Sequence, residues 1–446
     1  MNKNDTVEYI RSLENIYPLK EWKLSLLDQS CYPMVIRGTW IFDVQLDVNT
    51  MKTGLKKLLN YYPLLSGRMK DKKTIYFTND GVPFTVKDES DLTIKDVHKM
   101  ENLINHFTSE IKPPKIMRGI DPPMSIKITK LKNGCVLGIQ CSHMLMDGYS
   151  FYTMVYNLGK ICKKEDFKSP LLNQSLIPSP ENRTKDQVLK TAYEYGWKKI
   201  SKFSFLRLLP KLISGILKER SNEFYISPTS LQLLKEKISA NNLFTCSTNT
   251  ALSAFITKMF MKLFEHDEKT KCKQVTVANI RNRLEGIPTN FVGNASTFIT
   301  TPLFLAGASV DEIAKIIHQT LEPIRQTPSQ KIKEIMTMSM NLMHHKLLVF
   351  PFDFTKIHSK KPTVIHINNF SRLPIYDIDF GSGKPVSVIP HDLGDQVLIW
   401  PAHPDKGGWE IYFAGMPARI IHKLKEEDSW LREMKQYSSR SNNKIH

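Results

Sequence analysis

The feature that most constrains the fold of this chain is a short polar stretch, residues 141–150, set within apolar sequence. Two strand-like runs precede it, at 125–131 and 135–141, and Asn133-Gly134 between them favours a tight β-hairpin. After the stretch, apolar residues recur at helical spacing, which predicts a helix beginning near Tyr149. They are Phe151, Met154, Val155 and Leu158.

The polar stretch places a histidine at the end of the predicted inner strand. His143 is followed by three apolar residues and then by Asp147 and Gly148. A fixed imidazole with a nearby carboxylate, and a glycine that leaves room for the turn, suits a general base. The ordinary imidazole pKa near ~6.5 makes His143 a natural proton acceptor at neutral pH. The same residues also fit an ordinary buried histidine followed by a turn, because so short a motif excludes little.

Length and composition indicate a globular protein. The 446 residues predict about two or three domains, and the contents of 41% hydrophobic and 24% charged residues are ordinary. No apolar run approaches the ~18 residues of a membrane span, and the first residues lead into no signal-peptide core. The six cysteines form no C-x-x-C pair and no cluster at metal-ligand spacing. We therefore expect a soluble, cytoplasmic protein with reduced thiols and no metal site.

The formal net charge of +18 admits nucleic acid, an anionic membrane surface or a polyanionic small molecule as a partner. Zinc-finger spacing, an RNP-like motif and a basic tail are all absent from the sequence, which disfavours nucleic acid. Residues 198–220 alternate basic and apolar groups, as a membrane-surface helix does. Pro210 and Gly215 interrupt this pattern, which favours an interdomain crossover instead.

The remaining elements alternate strands and helices, which predicts an α/β protein with mixed sheets. A strand-like run at 34–46 precedes a helix at about 48–61, which ends before Pro63. A hairpin is predicted around Asn79-Asp80-Gly81. Two later helices begin at Ser227 and in the Ser/Thr-rich stretch 245–250. Other predicted features are strands at 223–226, 274–279 and 363–368, a linker at 163–186 and a frayed tail at 436–446.

Several different short motifs occur in a defined order along the chain. H-x-x-x-D-G is formed by His143, Asp147 and Gly148, and D-F-G-x-G followed by Lys-Pro lies at 379–385. Shorter motifs lie at 62–68, 279–284 and 291–294. In this order, from about residue 24 to about 416, the chain resembles the BAHD acyltransferases, which transfer an acyl group from a coenzyme A thioester to an alcohol or amine. Ser382 and Phe370 stand where many members of that family have tryptophan.

The resemblance implies a chloramphenicol-acetyltransferase-like fold of two similar-sized α/β domains with mixed sheets. His143 would lie at the interface, in an active-site channel between the domains. The N-terminal domain would comprise 1–185 with 362–392 contributed by segment exchange. Residues 186–220 would form the crossover, and the rest of 221–446 the C-terminal domain.

The resemblance also implies a mechanism. His143 would be the general base in a ternary complex, with acyl-CoA as a co-substrate and no permanently bound cofactor. Asp147 would either orient His143 or pair with a buried arginine, and family likeness favours the pair with Arg281. The other motif residues would be structural: Gly148, Asp379, Gly381 and Gly383.

Three residues are candidates for contacts with the donor. Asn369 stands near the position of a family tryptophan and would donate a hydrogen bond to the oxyanion of the tetrahedral intermediate. Ser247 and Lys262 are candidate contacts for coenzyme A. A plain helix cap and a plain surface lysine describe Ser247 and Lys262 equally well.

Two other functions fit parts of this sequence. Condensation-domain and wax-ester-type relatives have a doubled histidine, whereas Ser142 precedes His143 here. A non-catalytic acyl-CoA or ligand-binding protein on the same scaffold would account for the missing tryptophans, whereas the intact His143 and Asp147 favour an enzyme. The sequence specifies neither the acyl group nor the acceptor, which would be a small-molecule alcohol or amine of secondary metabolism. We expect a monomer with no nucleic-acid partner and no integral membrane association.

Overall fold

The computed structural model describes residues 6–14, 20–32, 34–100, 103–201, 203, 223–351, 361–390 and 396–413, together with positions 416, 419, 420, 422, 423 and 434. The predicted tail at 436–446 and most of the predicted crossover, namely 202 and 204–220, lie outside the described residues.

The strands are short to medium in length and occur throughout the chain. They are β1 (Thr6–Ile10), β2 (Glu21–Lys23), β3 (Val35–Phe42), β4 (Arg68–Asp71), β5 (Thr74–Tyr76), β6 (Val82–Asp88), β7 (Met124–Leu131), β8 (Gly134–Ser142), β9 (Lys198–Lys199), β10 (Glu223–Ile226), β11 (Lys271–Asn279), β12 (Ser296–Thr300), β13 (Phe304–Leu305), β14 (Val349–Phe350), β15 (Val364–Asn369), β16 (Ser387–Ile389), β17 (Val397–Pro401) and β18 (Trp409–Phe413).

Helices alternate with these strands, as the sequence predicts. They are α1 (Leu26–Ser30), α2 (Val48–Tyr61), α3 (Ile94–Val97), α4 (Leu103–Phe107), α5 (Pro113–Met117), α6 (Gly148–Cys162), α7 (Lys185–Glu194), α8 (Pro228–Ala240), α9 (Thr248–Leu263), α10 (Val310–Gln326) and α11 (Pro328–His344), with 3₁₀ turns at Pro63–Ser66 and Gln174–Leu176.

The chain divides into two compact units, each assembled from three stretches of sequence. Each unit contains one large mixed sheet together with helices, which confirms the predicted α/β class with two sheet-containing domains. The first unit comprises Met1–Ser179, Asn279–Ser296 and Leu373–His391, and the second Pro180–Ala278, Thr297–Arg372 and Asp392–His446.

These units differ from the predicted domains at several boundaries, including a first stretch that ends at Ser179 rather than at residue 185. The segment returned to the first unit is Leu373–His391 rather than 362–392, because β15 pairs in parallel with β11 and β17 in the sheet of the second unit. The stretch Asn279–Ser296, predicted within the C-terminal domain, belongs to the first unit.

The large sheet of the first unit has the strand order β1-β6-β7-β8-β3-β16. β7 and β8 pair antiparallel with Leu131 opposite Gly134, which confirms the predicted Asn133-Gly134 hairpin. All nine residues of β8 are buried, since this central strand has neighbours on both edges and covered faces. His143 therefore follows a strand whose position is fixed by pairing on both edges and by burial.

Two helices of the first unit confirm their predicted apolar faces. Helix α2 buries Met51, Leu55, Leu58 and Leu59. Helix α6 buries Phe151, Met154, Val155 and Leu158. Regular spacing of apolar residues at the helical period thus marks the sides that pack inward.

The predicted hairpin around Asn79-Asp80-Gly81 is wrong. The chain does turn here, with positive φ at Asn79 (53°) and Gly81 (95°). However, β5 pairs with β2 and β4 in a three-stranded sheet, whereas β6 joins the six-stranded sheet beside β1 and β7. Turn residues specify the local backbone conformation, while packing of the flanking strands decides their partners.

In the second unit, the large sheet has the order β10-β18-β17-β15-β11-β12, with β13 also on β11. Two of its helices begin where the sequence predicts. Ser227 accepts a hydrogen bond from the backbone N–H of Ser230 at the start of α8 (3.1 Å), and Ser247 accepts from that of Thr250 at the start of α9 (3.1 Å). Both are N-caps that satisfy an otherwise unpaired helix amide.

Candidate active site

His143 directly follows the last residue of β8. Its backbone N–H donates to the carbonyl of Met34 (3.0 Å), which attaches it to the residue just before β3. The next three side chains, Met144, Leu145 and Met146, are buried. These three residues, between His143 and Asp147, therefore anchor the connection between β8 and the following helix in the apolar core.

Asp147 and Gly148 form the start of α6. Oδ1 of Asp147 accepts a hydrogen bond from the backbone N–H of Ser150 (2.9 Å), which makes Asp147 the N-cap, and Gly148 is the first helical residue. Aspartate is favoured here because its oxygen satisfies a free amide and its charge complements the helix dipole.

The carboxylate of Asp147 also forms a two-point ion pair with Arg281. Nη1 of Arg281 donates to Oδ2 (2.8 Å) and Nη2 donates to Oδ1 (3.1 Å), with only 6% of Asp147 and 4% of Arg281 exposed. Burial on its own raises the pKa of Asp147, but the charge and hydrogen bonds of Arg281 outweigh it and hold this pKa below its ordinary value. Of the two roles considered for Asp147, the geometry matches the pair with a buried arginine.

The guanidinium of Arg281 has further partners close by. Nε donates to the carbonyl of Phe291 (3.0 Å), and Nη2 also donates to Oγ of Ser150 (2.7 Å) and the carbonyl of Gly293 (2.9 Å). The ring of Tyr149 lies 4.8 Å from the guanidinium carbon. Because guanidinium donors point in fixed directions, this network holds the stretch 279–296 against the start of α6.

The imidazole of His143 is poised to be neutral at neutral pH. Burial lowers its pKa below the ordinary value, while its own backbone carbonyl, the charge of Asp147 and Asn294 act in the opposite direction. Nδ1 is enclosed by protein and finds no hydrogen-bond partner of good geometry among the described residues. Nε2 is therefore the nitrogen left to meet a substrate.

Two residues beside His143 were missed by the sequence analysis. Nδ2 of Asn294 donates to the backbone carbonyl of His143 (2.8 Å) and to Oδ1 of Asp28 (2.9 Å). Asp28 is completely buried and forms a capping box with Ser25 at the start of α1. The Ser-x-x-Asp spacing predicts such a cap, but nothing in the sequence connects it to residue 294.

The second motif forms a loop of its own within the first unit. Oδ1 of Asp379 accepts hydrogen bonds from the backbone N–H groups of Gly381 (2.8 Å) and Gly383 (3.0 Å). Both glycines have positive φ, 98° and 109°, which residues with a Cβ rarely adopt. Lys163, just after α6, lies 3.5 Å from Oδ2 of Asp379. These residues thus organise a loop at the far end of α6 from His143.

The other candidates lie in the second unit. Asn369 ends β15, and its Nδ2 donates to Oδ1 of Asn249 (2.6 Å) near the start of α9. The backbone N–H of Ser371 donates to Oδ1 of Asn369 (2.8 Å). Ser247 is the N-cap of α9, and Lys262 is an exposed residue in its last turn. The structure thus brings Asn369 to the capped end of α9 and leaves Lys262 at the other end.

The described residues contain neither a cluster of metal ligands nor a membrane-spanning helix. No group of three or more His, Cys, Asp and Glu residues in this part of the chain could hold a metal ion. Among the described helices, none combines the length and the apolar character needed to cross a membrane.

Solved structures share this fold. The crystal structure of TRI101 from F. sporotrichioides, complexed with coenzyme A and T-2, matches with a TM-score of 0.71 over 92% of this chain and 98% of that chain, at 18% identity. The architecture is that of the two-domain acyltransferases related to chloramphenicol acetyltransferase.

Sequence comparisons identify the family. The model of the Transferase family matches residues 11–430. Omega-hydroxypalmitate O-feruloyl transferase from Arabidopsis thaliana is 22% identical over 427 residues, 91% of this chain and 88% of that protein. Vinorine synthase from Rauvolfia serpentina is 25% identical over 397 residues, 83% of each chain. The chain belongs to this Transferase family, the BAHD acyl-CoA acyltransferases.

Proposed function

We propose that the protein transfers an acyl group from an acyl-CoA thioester directly to a hydroxyl or amine of a small-molecule acceptor, with His143 as the general base. The observation that carries this proposal is the imidazole of His143, fixed at the end of a buried strand with Nδ1 enclosed and Nε2 left to meet a substrate. Burial lowers its pKa, which favours the neutral form. Family membership supports the thioester donor, and the similar TRI101 structure is a complex with coenzyme A.

The reaction needs one proton acceptor and no covalent enzyme intermediate. Nε2 of His143 takes the proton from the acceptor as its oxygen or nitrogen attacks the thioester carbonyl. The tetrahedral intermediate then collapses, the carbon–sulfur bond breaks, and the same proton passes from His143 to the departing thiolate. Base catalysis of this kind typically contributes ~100 to ~10,000-fold.

Asp147 fixes the position of His143, and its charge also opposes the lowering of the imidazole pKa. Both carboxylate oxygens are engaged, since Oδ1 accepts from Ser150 and Arg281, and Oδ2 accepts from Arg281 and from the backbone N–H of Ala295 (2.9 Å). A carboxylate with these partners fixes the turn that carries His143. We therefore assign Asp147, Gly148 and Arg281 a structural role in this site.

We also propose three donor contacts in the second unit. Asn369 has two amide hydrogens, one of which is directed to Asn249, so the other can serve a developing oxyanion. Unchanged turnover in Asn369→Ala would rule this out. Ser247 and Lys262 would contact coenzyme A, and Lys262→Ala would then raise KM for the donor without changing KM for the acceptor.

We also propose that the protein is cytoplasmic and monomeric. All six cysteines are free thiols in the structure, which supports a reducing compartment. Size-exclusion chromatography with light scattering tests the monomer, since a mass of twice 51.4 kDa would contradict it.

The test is mass-resolved thiol release with a panel of acyl-CoA donors and a mixed library of alcohols and amines. We expect release to require an acceptor and to fall ~100 to ~10,000-fold in His143→Ala. His98→Ala is the matched control, because His98 is an exposed histidine of the same unit that contributes to no part of this site. Product masses then identify the donor and the acceptor.

The other outcomes are distinct. Full activity in His143→Ala contradicts the proposed base. A burst of thiol without any acceptor indicates a covalent acyl-enzyme rather than direct transfer. Binding of acyl-CoA without turnover of any donor indicates a non-catalytic binding protein on this scaffold.

A further inference from the structure

We propose that Asp28 and Asn294 are positioning residues for the reaction, which hold the backbone of His143 in place through the two hydrogens of one side-chain amide. The proposal rests on the role of His143 as the base, and concerns a carboxylate that contributes no atom to the chemistry itself.

Asn294 is the link between the buried carboxylate and the base. A side-chain amide has two N–H donors, and both are used here: one reaches the carbonyl oxygen of His143 (2.8 Å) and the other reaches Oδ1 of Asp28 (2.9 Å). Sγ of Cys31 lies 3.5 Å from Oδ1 of Asn294, which agrees with this orientation of the amide. Only 1% of Asn294 is exposed, so water does not compete for these contacts.

Asp28 is the unusual member of this group. It is 0% exposed, and no Lys, Arg or His within the described ranges lies at salt-bridge distance from it. Its donors are neutral: Oδ2 accepts from the backbone N–H of Ser25 (2.9 Å) and from Oγ of Ser25 (2.7 Å), and Oδ1 also accepts from the backbone N–H of Asn294 (3.3 Å). Burial raises the pKa of Asp28 to about 6, against the opposing effect of these hydrogen bonds.

Capping a helix does not require such burial. Asp47 caps α2 from an exposed position, with Oδ1 accepting from the backbone N–H of Asn49 (2.9 Å). Burial of a carboxylate without a cation costs free energy. An exposed capping residue would therefore stabilise the helix at least as well as Asp28 does. What Asp28 has and Asp47 lacks is the connection through Asn294 to His143.

The connection completes the attachment of the catalytic backbone. The N–H of His143 is bonded to the carbonyl of Met34, and its carbonyl is bonded to Asn294. Because the N–H and the carbonyl of His143 are both hydrogen-bonded, the backbone that carries the imidazole is held in one position relative to the acceptor. Misplacement of a reacting group by about 1 Å can cost ~100-fold in rate.

The experiment compares Asp28→Ala and Asn294→Ala with Asp28→Asn and with the cap control Asp47→Ala. We expect both alanine variants to lose about 100-fold in kcat with little change in either KM. Asp28→Asn keeps an oxygen that can accept from Asn294, so it should recover much of kcat, and Asn294→Ala provides the test if Asp28→Ala does not fold. Because the two residues act as a unit, the double alanine variant should be no slower than the slower single variant.

A second readout does not depend on turnover. In protein labelled with 13C-histidine, the resonance that is absent from His143→Ala identifies His143. Its chemical shift should change in Asp28→Ala and in Asn294→Ala, because the backbone carbonyl of His143 loses either its hydrogen bond or the group that orients the donor, and should not change in Asp47→Ala. Asp147 and Arg281, the other charged groups of this site, are the same in all of these variants.

The outcomes separate this proposal from the proposed function. Unchanged kcat in Asp28→Ala and Asn294→Ala, or an unchanged His143 chemical shift in both, overturns the positioning role even if His143→Ala is inactive. If His143→Ala is fully active, the base itself is wrong, and the changed chemical shift then shows only that Asp28 and Asn294 hold the backbone of His143. Equal losses of kcat in Asp28→Ala and Asp47→Ala would reduce Asp28 to a helix cap.

Discussion

Each of the two sequence motifs contains an aspartate followed within two residues by a glycine, but the two carboxylates are held in different ways. Asp147 is bonded to Arg281, which lies 134 positions away in sequence. Asp379 is bonded to the backbone of Gly381 and Gly383 within its own loop. One motif depends on a distant part of the chain, and the other organises itself.

The difference extends to electrostatics. Burial is the largest single effect on both carboxyl groups and would raise their pKa values, but the other interactions together lower both. The charge of Arg281 leads these interactions for Asp147, and the loop amides lead them for Asp379. The side chain of Asp147 is 8% exposed and that of Asp379 is 21% exposed. If a substitution removes hydrogen bonds at position 379, water can therefore replace some of them, whereas water cannot reach the buried position 147. Substitutions in the two motifs should differ accordingly.

The largest effect is expected when the buried ion pair is broken. Arg281→Ala leaves the carboxylate of Asp147 buried without its cation, which should lower the free energy of unfolding by about 3–5 kcal/mol. Chemical denaturation measures this loss. The double variant Asp147→Ala with Arg281→Ala is the control, since it removes both charges and should lose less than the two single variants summed. A loss below about 1 kcal/mol in Arg281→Ala would match an exposed pair and contradict this prediction.

A smaller effect is expected where α6 meets the second motif. A Cβ added to Gly159 would lie 2.7 Å from the backbone carbonyl oxygen of Asp379, so Gly159→Ala should destabilise by about 1–3 kcal/mol through overpacking. Thermal or chemical unfolding shows the sign, because alanine in an unhindered helix would instead stabilise. In Gly54→Ala the nearest atom is the side-chain sulfur of Cys162, which can move, so that variant should lose less.

Of the two motifs, only the first is expected to contribute to the pH dependence of activity. His143 acts as a base only when neutral, and its pKa is lowered from 6.5, so kcat/KM should fall as pH drops through a midpoint below 6.5. Beyond that midpoint the decline should approach about tenfold per pH unit. Rates measured at saturating acceptor with varied donor give this profile, and Asp379→Asn should leave the midpoint unchanged. An acid limb centred above pH 6.5 would contradict the lowered pKa.

The smallest effect is expected in the second motif itself. Asp379→Asn retains a side-chain oxygen that can accept from Gly381 and Gly383, so the free energy of unfolding should fall by no more than about 0.5–1.5 kcal/mol. Asp147→Asn is the matched comparison, because the new amide would face the donors of Arg281. If Asp379→Asn proves as damaging as Asp147→Asn, the contrast between the two motifs fails.

Local sequence patterns predicted local structure well. The hairpin between β7 and β8, the apolar face of α6, and the helix starts at Ser227 and Ser247 each depend on residues within one or two turns of one another. The turn at Asn79-Asp80-Gly81 was recognised for the same reason, but its flanking strands belong to different sheets. Strand partners are set by packing that a local pattern does not contain.

The long-range part of the site could not be derived from local pattern. The Asp147 and Arg281 pair was expected only because the chain resembles a known family. Asp28 and Asn294 are 266 positions apart, and within its own segment Asp28 is simply the third residue of a capped helix. A capping box is favourable whether buried or exposed, so the sequence carries no signal that distinguishes this carboxylate from Asp47.

The composition of the first unit from three stretches has a consequence for synthesis of the chain. Residues 1–179 are synthesised long before the other two stretches of the first unit. The stretch Asn279–Ser296 contains Arg281 and Asn294, and the stretch Leu373–His391 contains β16, which pairs with β3. Until then the nascent first unit has a carboxylate at 147 without its cation and an unpaired sheet edge at β3. Contacts of such high sequence separation slow folding. The unit that begins the chain can therefore be completed only after most of the other unit has been translated.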